Sequence, residues 1–112
     1  MSFDDGLARR VRSTLHGTGT IVERRMFGGL AFMVNGHMCC GIVGDKLVVR
    51  VGAENHGPAL ADPNSRPMDF NGKPMKGFVY VNPAGYGSAA ALKRWVNRGL
   101  KFVLALPPKQ KN

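Results

Sequence analysis

Apolar residues recur every four positions at Phe3, Leu7, Val11 and Leu15, one stripe of a short amphipathic helix. Ser2 followed by Asp5 makes a capping-box-like start, with carboxylates near the positive end of the helix dipole. The run "HGTGT" ends it. From Ile21 to Val51 the apolar period drops to two, which predicts strands with alternate side chains facing a core. Asn35-Gly36 is the strongest hairpin signal there, because both central residues of a type I′ turn need positive φ. Gly44-Asp45 is a weaker second turn. Residues 53–65, broken by Gly57, Pro58 and Pro63, predict a short helix or an irregular connection. "RPMDF" and "MKGFVYV" form a second strand pair around Asn71-Gly72. After a turn at Pro83–Gly87, Ser88 caps a closing helix that runs to about Leu106, where Pro107-Pro108 stop it.

The order α-β-β-β-α-β-β-α, with hairpin-length loops, predicts an α+β fold of two layers: an antiparallel sheet with helices on one face. The 112 residues contain no internal repeat or low-complexity linker, so they predict a single domain, 1–112, with 107–112 a solvated tail.

Strand register divides the apolar residues into two sets. A two-residue loop at Asn35-Gly36 sets Val34 against His37, Met33 against Met38 and Phe32 against Cys39. A second at Gly44-Asp45 sets Ile42 against Leu47 and Cys40 against Val49. One face then collects Ala31, Met33, Met38, Cys40, Ile42, Leu47, Val49 and Val51, and is expected beneath the helices. The opposite face collects Leu30, Phe32, Val34, His37, Cys39, Val43, Lys46, Val48 and Arg50. It holds the charges and is expected to be outermost, yet it carries too many apolar residues for a freely solvated sheet. Contiguous patches of that kind mark interaction surfaces. Leu30, Phe32, Val34, Val48 and Arg50 are therefore candidate interface residues, covered by a protein partner or a second copy of the chain. A two-fold homodimer is the commonest self-associated form.

Charge adds a second surface. Residues 1–69 hold eight Lys/Arg and all seven acids, a net of +1, whereas residues 70–112 hold the other eight and no acid, a net of +8. On the closing helix Lys93, Arg94, Arg98 and Lys101 fall within an arc of about 140° at 100° per residue. Leu92, Trp95, Val96, Leu100, Phe102 and Val103 take the other side. An ordinary solvated helix face has this form, but native surfaces usually mix acids into it. The four cations are thus candidates for contact with nucleic-acid phosphates or an acidic partner. No DNA-reading motif accompanies them, so any nucleic-acid binding is expected to be weak and non-specific.

Chemistry is sparse. A P-loop needs a longer glycine-spaced loop closed by Lys and Ser/Thr, and a dinucleotide turn needs three glycines feeding a helix. Gly28-Gly29 has neither and feeds a strand, so it predicts a bulge, a bend or close approach of another backbone. Cys39 and Cys40 are adjacent, point to opposite faces of a regular strand and are expected reduced, with no disulfide. His37 and Cys39 could offer two metal ligands, but no second pair at a recognised spacing accompanies them. His16 and His56 stand alone, and no nucleophile is evident beside Glu54 and His56. No metal, cofactor or catalytic residue is expected. No stretch approaches the roughly 20 apolar residues that span a bilayer. "MSFDDGLARR" lacks the pattern of an export signal, so a cytoplasmic protein without membrane contact is expected.

Arg25-Met26-Phe27-Gly28-Gly29 leading into a strand hairpin, then "NGHM", "LVVRVG", "RPMDFNGKPMKGFVYVNP" and "LKRWVNRGLKF", resemble the N-terminal domain of the TfoX/Sxy competence regulators over nearly the whole chain. The resemblance implies a two-layer α+β domain and a role linked to regulation of DNA-uptake genes in bacteria. It supplies no catalytic residues. The expected function is that of a small non-catalytic bacterial regulatory or protein-interaction module. The alternatives are a non-specific nucleic-acid binder using the basic helix, and an enzyme whose site the sequence does not reveal.

Overall fold

Paired residues at turns close the first four strands into successive hairpins. The computed structural model of the chain describes residues 3–70 and 72–107. Phe27 and Gly28 take φ of 58° and 72°, Asn35 and Gly36 take 52° and 87°, and Gly44 takes 60°. These turns link β1 (Ile21–Met26), β2 (Gly29–Val34), β3 (His37–Val43) and β4 (Lys46–Arg50). Four strands thus stand where the alternation predicted three, because Phe27-Gly28 is itself a hairpin turn. A bulky aromatic at positive φ gives no such signal in sequence.

A short helix α2 (His56–Leu60) leads to β5 (Ser65–Phe70) and β6 (Lys73–Val81). All six strands form one antiparallel sheet in the order β1-β2-β3-β4-β6-β5. The chain starts with α1 (Asp5–Leu15) and closes with α3 (Pro83–Tyr86), a helical turn where only a turn was expected, and α4 (Ala89–Leu104). Asp4 caps α1, its carboxylate accepting from the Leu7 amide at 3.1 Å. Ser2, the expected cap residue, lies outside the described residues. Ser88 caps α4 as its sequence predicts, accepting from the Ala91 amide at 3.1 Å. Asn71 of the expected β5–β6 turn and residues 108–112 of the expected tail also lie outside the described residues.

The helices cover one face, and the main core lies between. Leu7, Val11 and Leu15 of α1 and Leu92, Val96, Leu100 and Val103 of α4 pack on Phe32, Ile42, Leu47, Val49 and Val79. Gly99 lets α4 approach β3: a Cβ there would meet the Cys39 carbonyl at 2.7 Å.

The register departs from expectation at one residue. Val34↔His37 and Met33↔Met38 pair as predicted, but a bulge follows and the next partners are Phe32↔Cys40, Ala31↔Gly41 and Leu30↔Ile42. Side chains alternate with period two, so one extra residue inverts every assignment across it. Leu30, Phe32 and Val34 therefore face the helices and are buried in the main core. That rules them out as the outer interface residues the regular register made them. Ala31, Met33 and Met38 turn to the opposite face instead. Cys39 and Cys40, expected on opposite faces, both join the helix-side core because the bulge falls between Met38 and Cys40. His37 also lies on the helix side, its Nε2 2.7 Å from the Pro107 carbonyl.

An exposed ion pair ties α1 to the sheet edge. The Arg12 guanidinium donates to both Glu23 carboxylate oxygens, with Nη2–Oε1 at 2.8 Å. This bond holds the Glu23 carboxyl below its usual range, against a smaller opposing effect of burial. A depressed acid stabilises the fold above its unfolded-state pKa, and that contribution disappears as pH falls through the lowered folded-state value. Melting temperatures of the wild type and Glu23→Gln should therefore converge on acidification. The difference at neutral pH should be worth under about 1 kcal/mol, because water screens the pair. A gap that stayed constant down the acid limb would contradict this.

Candidate functional site

Among the described residues no helix covers the second sheet face, yet Ala31, Met38, Val48 and Met68 on it are buried. Longer neighbours lie over these side chains. Met26, Phe27, Met33, Val43, Met75, Phe78 and Tyr80 are partly buried around them. Five of the chain's six methionines are on this face, and the sixth, Met1, is outside the described residues. Unbranched and polarizable, methionine adapts to irregular neighbours and is over-used at surfaces that accept varied partners. Phe27 meets Phe70 edge-to-face, ring centroids 5.4 Å apart. Phe70 is 39% exposed, and Val22, opposite Met33 on β1, is 46% exposed.

Register places the surrounding charges. Directly opposed residues in an antiparallel pair share a face, so Arg24 (opposite Ala31), Lys46 (opposite Val43) and Arg66 (opposite Tyr80) point outward with this cluster. Lys46 Nζ is 3.9 Å from the Asp45 carboxylate in the β3–β4 turn. The Arg50 guanidinium lies over both Phe78 and Phe102, at 5.6 and 5.1 Å, and bridges the two layers at the end of β4. The Tyr80 hydroxyl donates to the Asp69 carbonyl at 3.2 Å. Burial raises its pKa, as does the Asp69 charge, while Arg66 opposes them.

Of the five expected interface residues, Val48 and Arg50 belong to this face, whereas Leu30, Phe32 and Val34 do not. Sequence reasoning missed Met26, Met33, Met38, Met68 and Met75 as one surface. Their abundance was the available signal, but two of them had been assigned to the core.

The motif Arg25–Gly29 turns out to be architectural. The Arg25 guanidinium sits 5.6 Å over the Phe3 ring on the helix side, while Met26 and Phe27 reach the opposite cluster. Gly28 supplies the second positive φ of the β1–β2 turn. Gly29 lets the β2 backbone approach β3, since a Cβ there would lie 2.0 Å from the Ile42 carbonyl oxygen.

On α4, Lys93, Arg94, Arg98 and Lys101 are all exposed, and none is ion-paired among the described residues. Trp95 is buried with the core at 4% exposure, and the Arg98 guanidinium covers its ring at 4.5 Å. Arg98 and Lys101 also border a cavity of about 220 Å³ with Val51, Asn55, Pro58 and Ala59. The arc read from the sequence is present, and two of its cations, Arg98 and Lys101, border this concavity.

Reactive groups are scattered. The Cys40 thiol is held well above the usual thiol range by its hydrogen bond with Cys39 and by burial, and a protonated, buried thiol is a poor nucleophile. His16 ends α1, His37 starts β3 and His56 starts α2, where its Nε2 is buried without a hydrogen-bond partner. Among the described residues, no three His, Cys, Asp or Glu side chains gather to hold a metal, and no helix is long and apolar enough to cross a membrane.

A family model for the TfoX N-terminal domain matches residues 13–103. No curated protein matches the chain. The matched span runs from the last three residues of α1 into α4 and takes in all six strands, the methionine-rich face and the helix-covered core apart from Leu7, Ala8 and Val11 of α1. The chain belongs to the TfoX N-terminal domain family.

Proposed function

We propose that this domain is a non-catalytic bacterial regulatory module acting in the cytoplasm by protein contact, through the sheet face that no helix covers. The carrying observation is the contiguous methionine- and aromatic-rich cluster on that face, with Phe70 and Val22 left open to solvent. Contiguous apolar surface on an uncovered sheet face is characteristic of interaction sites. Family membership supports a regulatory role, since the resemblance to the competence regulators implies a role linked to regulation of DNA-uptake genes. A second reading, non-specific nucleic-acid binding, draws on the four exposed cations of α4, which have no ion-pair partner among the described residues.

One experiment separates them. Tagged wild-type protein, a Val22→Glu/Phe70→Glu variant and a variant with Lys93, Arg94, Arg98 and Lys101 all changed to Gln are used for capture from native cells at two salt concentrations. Captured proteins are identified by mass spectrometry, and captured nucleic acid is quantified. Both substituted positions of the first variant are exposed, so it should stay folded, with its melting temperature lowered only by loss of the Phe27–Phe70 contact, and lose a specific protein that the Gln variant keeps. Nucleic acid held at low salt and released at high salt, lost only in the Gln variant, would favour the second reading through its counterion-release signature. Proteins captured equally by all three would remove the sheet face as the contact surface.

A further inference from the structure

We infer that the partner of the helix-free sheet face is an acidic amphipathic helical segment, with an apolar stripe flanked by carboxylates, and not a second copy of this chain. The inference rests on reading that face as the contact surface. Its centre is apolar and adaptable: methionines and Val43 lie around the buried Val48, a surface that takes up an apolar helix stripe. Its surroundings are positive. Arg24 stands on one edge strand, Arg66 on the other and Lys46 between them, all on the outward side. Asp45 lies beside Lys46, and the Asp69 charge, like that of Arg66, acts on Tyr80. Lys73 and Lys76 follow on β6, in a part of the chain that has no acid beyond Asp69. A basic rim around an apolar centre is complementary to an acidic partner.

The same charges argue against self-association. Two copies stacked face to face would set the Arg24, Lys46 and Arg66 group of one against the same group of the other, and each copy carries +9 overall. Like charges desolvated together oppose association.

Nucleic acid fits this face poorly as well. Strand binding by an open sheet needs aromatic faces free to stack bases. Here Phe27 and Phe70 are engaged edge-to-face, Arg50 covers Phe78, and the Tyr80 hydroxyl is tied to Asp69. The remainder of the surface is largely methionine, which offers no ring.

Dimensions select a helix. Six strands span about 24 Å at the usual inter-strand spacing, the length of about 16 helical residues. Such a helix laid across the strands would bring carboxylates near its ends to Arg24 and Arg66 on the two edges.

The probe is a synthetic 18-residue peptide with Leu and Phe at helical spacing on one side and Glu on the other. Three controls accompany it: the same peptide with Lys for Glu, an acidic peptide of the same composition with its helical pattern scrambled, and a 15-nucleotide oligo-dT. Fluorescence anisotropy is read for the wild type, Val22→Glu/Phe70→Glu and Arg24→Gln/Arg66→Gln, with folding checked by circular dichroism. The Glu peptide should bind at least about tenfold tighter than the Lys and scrambled peptides, because charge complementarity and stripe spacing both contribute. Its affinity should fall about tenfold in the Val22/Phe70 variant, which places carboxylates on the face. In the Arg24/Arg66 variant it should fall several-fold and become less dependent on salt. Equal binding of the Lys peptide would overturn the acidic partner, as would oligo-dT competing for the same residues. A wild-type dimer in sedimentation, lost in the Val22/Phe70 variant, would overturn it in favour of a second copy. If no peptide binds while cellular capture still depends on Val22 and Phe70, the partner chemistry is wrong and the contact surface stands. If capture does not depend on them either, both fall.

Discussion

Phe32→Glu should abolish the folded state. Phe32 is fully buried beneath the helices, between Glu23 on β1 and Cys40 on β3. The change removes a large core side chain, worth about 3–5 kcal/mol even for truncation to Ala. It also places a carboxylate in a core that contains no buried polar or charged residue among those described. The nearest facing acid, Glu23, adds a like charge. Leaving an unpaired charge in such a site costs several kcal/mol more, and the sum approaches or exceeds the whole stability of a typical domain, about 5–15 kcal/mol. Circular dichroism should show no cooperative melting transition. Met33→Glu, one residue along on the opposite face and partly solvated, should fold with a lowered melting temperature. A folded Phe32→Glu protein would place Phe32 outside, as an unbroken alternation has it, and would remove the bulge.

That contrast shows where the fold could be read and where it could not. The helix α1 followed from a four-residue apolar period, and α4 from Ser88 at its cap and the prolines expected to stop it. The Asn35-Gly36 hairpin followed from turn chemistry, and the two pairs nearest it formed as expected. What the residues did not announce was the bulge. Cys39 and Cys40 are both small and apolar, and both suit a core, so neither regular nor bulged pairing leaves a wrong-looking residue in the sequence. The core also favours the bulged arrangement. It puts Phe32, Leu30 and Val34 under the helices and leaves the methionines, which tolerate partial exposure, on the other side. The extra β1–β2 hairpin escaped notice for a related reason, since Phe27 occupies a backbone region where Asn, Asp or Gly is the usual signal.

The candidate surfaces divide in the same way. A helix face depends only on local periodicity, so the arc of Lys93, Arg94, Arg98 and Lys101, and the burial of Trp95 behind it, were legible without tertiary information. A sheet face depends on register across several strands. That one face would carry surplus apolar surface was readable from the number of apolar residues in Ile21–Val51. Which residues form it was not, because a single inserted residue exchanged Leu30, Phe32 and Val34 for Ala31, Met33 and Met38. Met68, Met75 and Tyr80 join that face only because the β5–β6 hairpin docks on β4 through the β4–β6 pairing, which links segments distant in sequence.

Gly29→Ala should cost about 3 kcal/mol, near the upper end of overpacking penalties, and lower the melting temperature by about 10 °C for a domain of this size. The backbone angle at Gly29 is not the cause, since its φ lies outside the left-handed region. Space is the cause. The added methyl would sit 2.0 Å from the Ile42 carbonyl oxygen and 3.2 Å from the Val43 Cα, both backbone atoms of β3 that no rotamer change can move. Relief requires the β1–β2 hairpin to tilt away from β3, which loosens the Leu30↔Ile42 pairing and the packing of Leu30 on the core. Gly28→Ala is the matched control. That position has open space around it but a φ of 72°, so the strain is conformational and should cost only about 1–2 kcal/mol. Gly28→Asn should recover part of it, because Asn visits the left-handed region more readily. If steric contact at Gly29 governs this turn, Gly29→Ala is the more damaging change, and no anion protects either protein against heat. If Gly29→Ala instead melted like the wild type while losing a phosphate- or sulfate-dependent rise in melting temperature, the glycine pair would be an anion cradle and the close strand contact would not hold.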